Sequence, residues 1–73
     1  METYNDLAMT LSPRQKEIAL LVADGASNKE IARQLAISEK TVKNTLTRVF
    51  VKTSTLSRTQ LAVLIVRSEY ALP

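Results

Sequence analysis

Cysteine and histidine are both absent from this chain of 73 residues, and glycine and proline are scarce, with one and two copies. These absences exclude a disulfide framework, a common zinc finger, a thiol nucleophile and a histidine acid–base pair. No uncharged stretch approaches the roughly 18 apolar residues that a membrane-spanning helix needs, and the first residues lack the basic-then-apolar pattern of a secretion signal. The sequence therefore predicts a cytoplasmic protein that is not an enzyme, binds no metal, cofactor or small molecule, and does not contact a membrane.

The charge of the chain is concentrated in its middle. The formal net charge is +3, but residues 27–58 carry seven basic and two acidic side chains, a net of +5, which leaves −2 for the remainder. A basic segment between mildly acidic ones favours an anionic partner at a defined surface. A solvated helical surface would give the same counts of charged residues, so charge alone does not distinguish an anionic partner from solvent exposure.

Helix-start and helix-stop signals divide the chain into four segments. Four serines are predicted N-caps: Ser12, Ser27, Ser38 and Ser57. The first, second and fourth have Gln or Glu three residues later, the spacing of a capping box. Gly25 can adopt the left-handed conformation that ends the first helix, residues 53–55 favour a loop, and the last helix is predicted to run to about Glu69. The prediction is an all-α domain of four helices over residues 11–73, preceded by a flexible arm or linker remnant at residues 1–10.

The second and third predicted helices are separated only by residues 36–38. A short helix, a tight turn and a longer helix are typical of a helix-turn-helix. The third helix has an inner apolar stripe of four residues, Val42, Leu46, Val49 and Phe50. This stripe predicts which side of the helix packs into the core.

The opposite side of the third helix carries polar and basic side chains and no carboxylate. In a projection at about 100° per residue, Lys40, Asn44, Thr47 and Arg48 lie away from Val42, with Lys43 at the margin. Asn can pair with adenine, Lys can donate to guanine acceptors, and Thr can meet a hydroxyl partner or the thymine methyl group. This chemistry favours a helix that lies in the major groove of DNA, although the same side chains could simply be solvated.

Contacts with the DNA backbone are predicted beside this surface. The N-terminus of a helix presents unpaired amides to phosphate oxygens, so Ser27, Asn28 and Lys29 are candidates at the start of the second helix. Thr41 and Arg48 are candidates next to the groove-facing row. Phosphate contacts would set the register, while base contacts would choose the site.

Three runs of the sequence resemble the LuxR/GerE-type helix-turn-helix domain of bacterial transcriptional regulators. They are Leu-Ser-Pro-Arg at residues 11–14, Gly-Ala-Ser-Asn-Lys-Glu-Ile-Ala at residues 25–32 and Ile-Ser-Glu-Lys-Thr-Val-Lys-Asn at residues 37–44. The resemblance covers about residues 11–70. It implies a four-helix fold, a recognition helix that starts near Glu39, and dimerisation through the last helix on an inverted-repeat site. It also implies base contacts from Lys43, Asn44 and Thr47, with Lys40 and Thr41 near the backbone.

The sequence departs from the family pattern in two places. Thr45 stands where the family usually has His, so the contact that this His makes is expected to be lost or weakened. Residues 52–55, Lys-Thr-Ser-Thr, replace the usual Lys-Leu-Gly-Val after the recognition helix. Ser54 is therefore expected to adopt a positive φ in the place of glycine, at a cost of roughly 1 kcal/mol.

The last helix is apolar on two sides. The residues predicted to face the core are Leu61, Leu64 and Ile65. Those predicted on roughly the opposite side are Val63, Val66 and Tyr70. A second apolar stripe on a small domain favours a partner surface, in this case a homodimer that places two recognition helices about 34 Å apart. An extended strand, or a core without a partner, is the alternative.

Together these features predict a sequence-specific regulator that binds double-stranded DNA, either free-standing or as the output domain of a larger regulator. RNA polymerase is a further candidate partner. Two other interpretations remain open. One is a sigma-factor-like module that reads promoters, and the other is a protein-interaction module that does not bind DNA.

Overall fold

The computed structural model describes the backbone of residues 11–71 and the side chains of residues 11–67. The predicted arm at residues 1–10 lies outside this part. Within residues 11–71 the chain forms four α-helices and no strand, which confirms the all-α prediction. The helices are α1 (Pro13–Ala23), α2 (Asn28–Leu35), α3 (Glu39–Thr53) and α4 (Arg58–Ala71).

The first two helices begin at complete capping boxes. Ser12 Oγ accepts a hydrogen bond from the Gln15 N–H at 3.2 Å, and Gln15 Oε1 accepts from the Ser12 N–H at 3.0 Å. Ser27 and Glu30 repeat this pair of bonds at 3.1 and 2.8 Å. Both boxes were predicted, because the pattern depends only on residue types three positions apart.

The other two caps are simpler than a full box. Ser38 Oγ accepts from the Thr41 N–H at 3.0 Å and so caps α3 as predicted. Ser57 Oγ accepts from the Gln60 N–H at 3.1 Å, but Gln60 Oε1 accepts from the Leu56 N–H at 2.7 Å, not from the Ser57 N–H. The predicted capping box at Ser57 is therefore wrong in its return bond, because the connection turns the amide of the preceding residue toward the Gln60 side chain.

The first three helices end in the same way. Each is followed by a residue with positive φ: Gly25 at 92°, Ala36 at 57° and Ser54 at 56°. The next amide then reaches back five residues to a carbonyl oxygen, in the pairs Ala26–Leu21, Ile37–Ala32 and Thr55–Phe50 at 3.0–3.1 Å. This is the Schellman motif. The positive φ of Ser54 confirms the expectation for that position, whereas the positive φ of Ala36 was not predicted.

The connection between α3 and α4 is partly buried. Thr53 was predicted to lie in a loop, but it is the last residue of α3, and its Oγ1 donates to the Val49 carbonyl oxygen at 2.7 Å. Thr53 and Thr55 are only 2% and 9% exposed, and their hydroxyl oxygens are 2.9 Å apart. Two threonines thus occupy buried positions where the family pattern has Leu and Val.

The core forms where α1 packs against α4 and α3, and where α2 packs against α3. Val42, Leu46 and Val49 of the predicted inner stripe are buried, whereas Phe50 is half-buried and packs against the core. The predicted core residues of α4 are also buried: Leu61, Leu64 and Ile65. Each large apolar side chain removed from water contributes about 1.5–3 kcal/mol. Burial of the inner stripe determines the rotation of α3 and leaves its opposite side to solvent.

No single helix among the described residues is long and apolar enough to cross a membrane. Among the described residues, only α3 and residues 58–67 of α4 taken together have the length and apolar composition of a membrane span. These two segments are bent by 61° at the break between them.

Candidate nucleic-acid interface

The outer side of α3 is exposed along its length. Its polar and basic members, termed the α3 outer surface, are Lys40, Lys43, Asn44, Thr47 and Arg48, and all five are exposed. With a rise of about 1.5 Å per residue, the seven-residue interval from Lys40 to Thr47 spans about 10 Å along the axis. An α-helix with its side chains is about 10–12 Å in diameter, and the major groove is about 12 Å wide, so α3 can enter the groove and place this surface along base edges.

The basic side chains near this surface have no acidic partners in the described part of the chain. Across residues 11–67, the ion pair with described geometry joins Arg14 and Glu17 of α1 at 3.4 Å. Lys29, Lys40, Lys43 and Arg48 take part in no such pair there. Their charges are therefore available to a polyanion without the loss of an internal ion pair.

Two threonine hydroxyls of α3 already have partners. Thr47 Oγ1 donates to the Lys43 carbonyl oxygen at 3.1 Å, which uses its proton and leaves its lone pairs and methyl group exposed. In this conformation Thr47 can accept from a base amino group or contact a thymine methyl group. Thr41 Oγ1 accepts from Ser38 Oγ at 2.9 Å as part of the helix cap.

The candidate phosphate contacts at the start of α2 differ in their surroundings. Ser27 and Lys29 are exposed, and Ser27 is engaged in the capping box. Asn28 is half-buried, and its Oδ1 accepts from Arg58 Nη1 at 2.7 Å. Arg58 Nη2 also donates to the Ala26 carbonyl oxygen at 2.6 Å. Sequence reasoning missed this role of Arg58, because residues 30 positions apart are brought together only by the tertiary fold.

Glu30 adds a negative charge at the same helix start. Hydrogen bonds from the backbone N–H and the hydroxyl of Ser27 hold the pKa of Glu30 below its ordinary value of 4.5, and the nearby charge of Arg33 adds to this effect. Glu30 is thus ionised at neutral pH, which stabilises the start of α2. The same charge repels a phosphate, so Lys29 has to offset it at this end of the surface.

The predicted partner face of α4 is only partly within the described side chains. Val63 and Val66 are 45% and 41% exposed, whereas the side chain of Tyr70 lies outside the described residues. Two further apolar side chains are more exposed, Val51 at 76% and Leu56 at 88%. Val51 lies about 180° from Val42 in the helical projection, so the projection could have revealed it.

Two adjoining open grooves are lined in part by three of these apolar side chains, Val63, Val51 and Leu56. One is lined by Thr53, Ser54, Thr55, Thr59, Gln60, Val63 and Leu64. The other is lined by Thr47, Phe50, Val51, Ser54, Thr55 and Leu56. The grooves share Ser54 and Thr55, and neither has a charged lining residue, in a chain of which 23% is charged. An uncharged surface therefore runs from the end of α3 to the outer side of α4.

Comparison with known proteins identifies relatives of this chain. Residues 9–65 match the family described as bacterial regulatory proteins, luxR family. The monoamine regulon transcriptional regulator of Klebsiella aerogenes is 46% identical over 61 residues, which are 84% of this chain. The response regulator Rre1 of Synechocystis is 41% identical over 59 residues, 81% of this chain. The transcriptional regulatory protein LiaR of Bacillus subtilis is 44% identical over 54 residues, 74% of this chain.

These matches cover only part of each relative. The aligned residues are 27% of the Klebsiella protein and 26% of each of the other two. The similarity therefore concerns one segment of about a quarter of each relative's length.

Proposed function

The chain belongs to the LuxR family of bacterial regulatory proteins, and from that premise we propose that it binds double-stranded DNA sequence-specifically and regulates transcription. In this proposal α3 lies in the major groove, where Lys43, Asn44 and Thr47 contact base edges. The observation that carries the proposal is the α3 outer surface, which is exposed and has no carboxylate partner among the described residues. The domain acts in the cytoplasm, either alone or as the output part of a larger regulator.

The proposed contacts with phosphates flank the base readers. They come from Ser27, Asn28, Lys29, Lys40, Thr41 and Arg48. Lys29, Lys40 and Arg48 supply charge, while the other three are neutral. Charged contacts of this kind give affinity without sequence preference, so they position the domain rather than select its site.

A homodimer on an inverted repeat is the proposed assembly. Val63 and Val66 are exposed on α4, and the uncharged grooves extend this apolar surface toward Val51 and Leu56. A surface without charge is complementary to a second copy of itself, which suits an isologous contact through α4 with Tyr70 as a further member. RNA polymerase is a proposed further partner of the DNA-bound dimer.

The test begins with selection of bound duplexes from a random pool by the 73-residue chain. We expect an inverted repeat with half-sites about one helical turn apart. Filter binding of the selected duplex should lose affinity linearly in log salt, with a slope of about −0.9 for each phosphate neutralised. A single half-site bound by one copy would favour a promoter-reading module. Failure to retain any duplex would favour a protein-interaction module.

The base readers can be separated from the phosphate contacts by substitution. Asn44→Ala and Lys43→Ala should each cost about 1–3 kcal/mol on the selected site and relax the base preference there. Lys29→Ala should weaken binding to all DNA sequences to a similar extent. Lys16→Ala, which removes an exposed charge from α1, serves as the control and should leave base preference intact. An Asn44→Ala variant that retained full discrimination would show that Asn44 is not a base reader.

A further inference from the structure

The Arg58 side chain joins the beginnings of two helices. Arg58 is the first residue of α4, and its guanidinium donates to Asn28 Oδ1 at 2.7 Å and to the Ala26 carbonyl oxygen at 2.6 Å. Asn28 is the first residue of α2, and Ala26 lies in the loop before it. The two acceptors are engaged by the two separate Nη atoms of one planar group, a fixed fork that the single nitrogen of a Lys ammonium does not reproduce.

This contact determines which end of the Asn28 amide is available. A guanidinium carries only donors, so the atom of Asn28 that faces it must be the acceptor Oδ1. The Nδ2 group is then directed away from Arg58, and it has no hydrogen-bond partner among the described residues. Half-buried Asn28 therefore keeps two unpaired N–H donors, next in sequence to exposed Lys29. Donors are what a phosphate oxygen requires.

We propose that Arg58 is a positioning residue for DNA binding. It holds the Asn28 side chain so that Nδ2 donates to a phosphate oxygen, and it does not itself contact the DNA. The inference rests on the proposed function, because Asn28 is there a backbone contact. It adds a residue from α4, outside the helix-turn-helix, to the machinery that sets the register of α2 on the duplex.

A double-mutant cycle on DNA affinity tests this role, with the full chain and the duplex recovered by selection from the random pool. Arg58→Met keeps the length of the side chain and removes its donors, and Asn28→Ala removes the amide. Each variant should weaken binding about fivefold, the effect expected of one hydrogen bond. The double variant should also be about fivefold weaker, because both changes remove the same contact.

The salt dependence separates positioning from direct contact. Asn28 is uncharged, and Arg58 is proposed not to touch a phosphate, so all three variants should keep the wild-type slope of log affinity against log salt. Lys29→Met is the matched control and should reduce the magnitude of the slope by about 0.9. Arg58→Lys keeps the charge without the fork and should bind as weakly as Arg58→Met.

The results that would overturn the role of Arg58 differ from the result that would contradict the proposed function. An Arg58→Met slope shallower by about 0.9 would assign Arg58 a direct phosphate contact and overturn the proposal. Additive losses in the double variant, or an unchanged affinity of Arg58→Met, would overturn it as well. If circular dichroism shows that Arg58→Met does not fold, the cycle is run with Arg58→Lys. Failure of the wild-type chain to bind any duplex would contradict the proposed function itself, and the inference would fall with it.

Discussion

At the scale of single residues, Ala36 holds a strained backbone conformation in the turn of the helix-turn-helix. Its φ of 57° places an L side chain in the left-handed region, which costs roughly 1–2 kcal/mol. The conformation persists because the turn between α2 and α3 requires it for the Schellman bonds that end α2. Ser54 repeats this situation at the end of α3.

Ala36→Gly should therefore stabilise the fold. Relief of the backbone strain exceeds the entropy that Gly adds to the unfolded chain, about 0.4–1 kcal/mol, so a net gain of about 0.5–1 kcal/mol is expected. Thermal or urea unfolding measures it. Ala62→Gly, in the interior of α4, is the control and should instead lose about 1 kcal/mol. A loss of stability in Ala36→Gly would show that no strain is stored at this residue.

The two capping boxes should differ in their response to pH. The pKa of Glu30 is lowered in the folded state, mainly by the hydrogen bond from the Ser27 N–H. A depressed carboxyl pKa contributes stability above the unfolded value, and this contribution is lost as the pH falls through the folded value. The box of α1 uses Gln15, which does not titrate, so its contribution does not change with pH.

Glu30→Gln should accordingly remove one source of the loss of folding stability at acid pH. Thermal midpoints of the wild type should exceed those of Glu30→Gln at pH 7, because the ionised carboxylate also interacts favourably with the helix dipole. The difference should shrink below pH 4.5, the ordinary pKa value, and vanish once Glu30 is protonated in the folded protein. A difference that is constant from pH 7 to pH 3 would contradict this assignment.

At the scale of secondary-structure elements, the junction of α3 and α4 is held by a pair of buried hydroxyls. The Thr53 proton is used in the bond to the Val49 carbonyl oxygen, so the bond between Thr53 and Thr55 must take its proton from Thr55. The two threonines thus form a directed chain that ends on the last turn of α3. Each buried hydroxyl is satisfied, and this allows polar residues at a position that the family pattern fills with apolar ones.

Because these hydrogen bonds run from Thr55 to Thr53 to Val49, substitutions of the two threonines should have unequal effects on stability. Thr53→Val deprives the buried Thr55 hydroxyl of its acceptor and should cost about 1–2 kcal/mol. Thr55→Val leaves Thr53 still bonded to Val49 and should be nearly neutral. The double variant should resemble Thr55→Val, since replacing both partners leaves no unpaired donor. Additive losses in urea unfolding would exclude a chain in which Thr55 donates to Thr53.

The sequence predicted the starts of the helices better than their ends. All four starts could be read from an N-cap Ser, and three of them also have Gln or Glu three residues later. Schellman ends depend on backbone conformation, which glycine signals at Gly25 but alanine does not signal at Ala36. Thr53 was predicted to lie in the loop because the β-branched and polar run at residues 53–55 is typical of a loop. The burial of its side chain overrides this local preference.

At the scale of the whole molecule, a chain of 73 residues has little surface to bury. Such domains bury about 60% of the surface that the unfolded chain exposes and are marginally stable alone. Association through the uncharged surface of α4 would add buried apolar area. The proposed dimer therefore links stability to DNA binding, because DNA that holds two copies together also stabilises both folds.

The paired substitution Val63→Glu with Val66→Glu should abolish dimer formation on the selected duplex. Burying two like-charged carboxylates against their copies is strongly unfavourable, so sedimentation should show one protein copy on each duplex. The two substitutions change the net charge by −2. Lys16→Glu makes the same change on α1 and should leave two copies bound. A dimer that survives the paired substitution would place the interface elsewhere.

The sequence by itself determined the helix starts, the inner stripe of α3 and the polar outer surface, because these depend on residue types at fixed short spacings along one helix. Only the tertiary structure decided the link from Arg58 to Asn28, the burial of the Thr53 and Thr55 hydroxyls and the positive φ of Ala36. The first two depend on how the chain brings helices and their connection together, and the third on the turn geometry that this packing imposes. Spacing along the chain carries information about one helix, whereas contacts between helices arise only when the apolar faces pack into a common core.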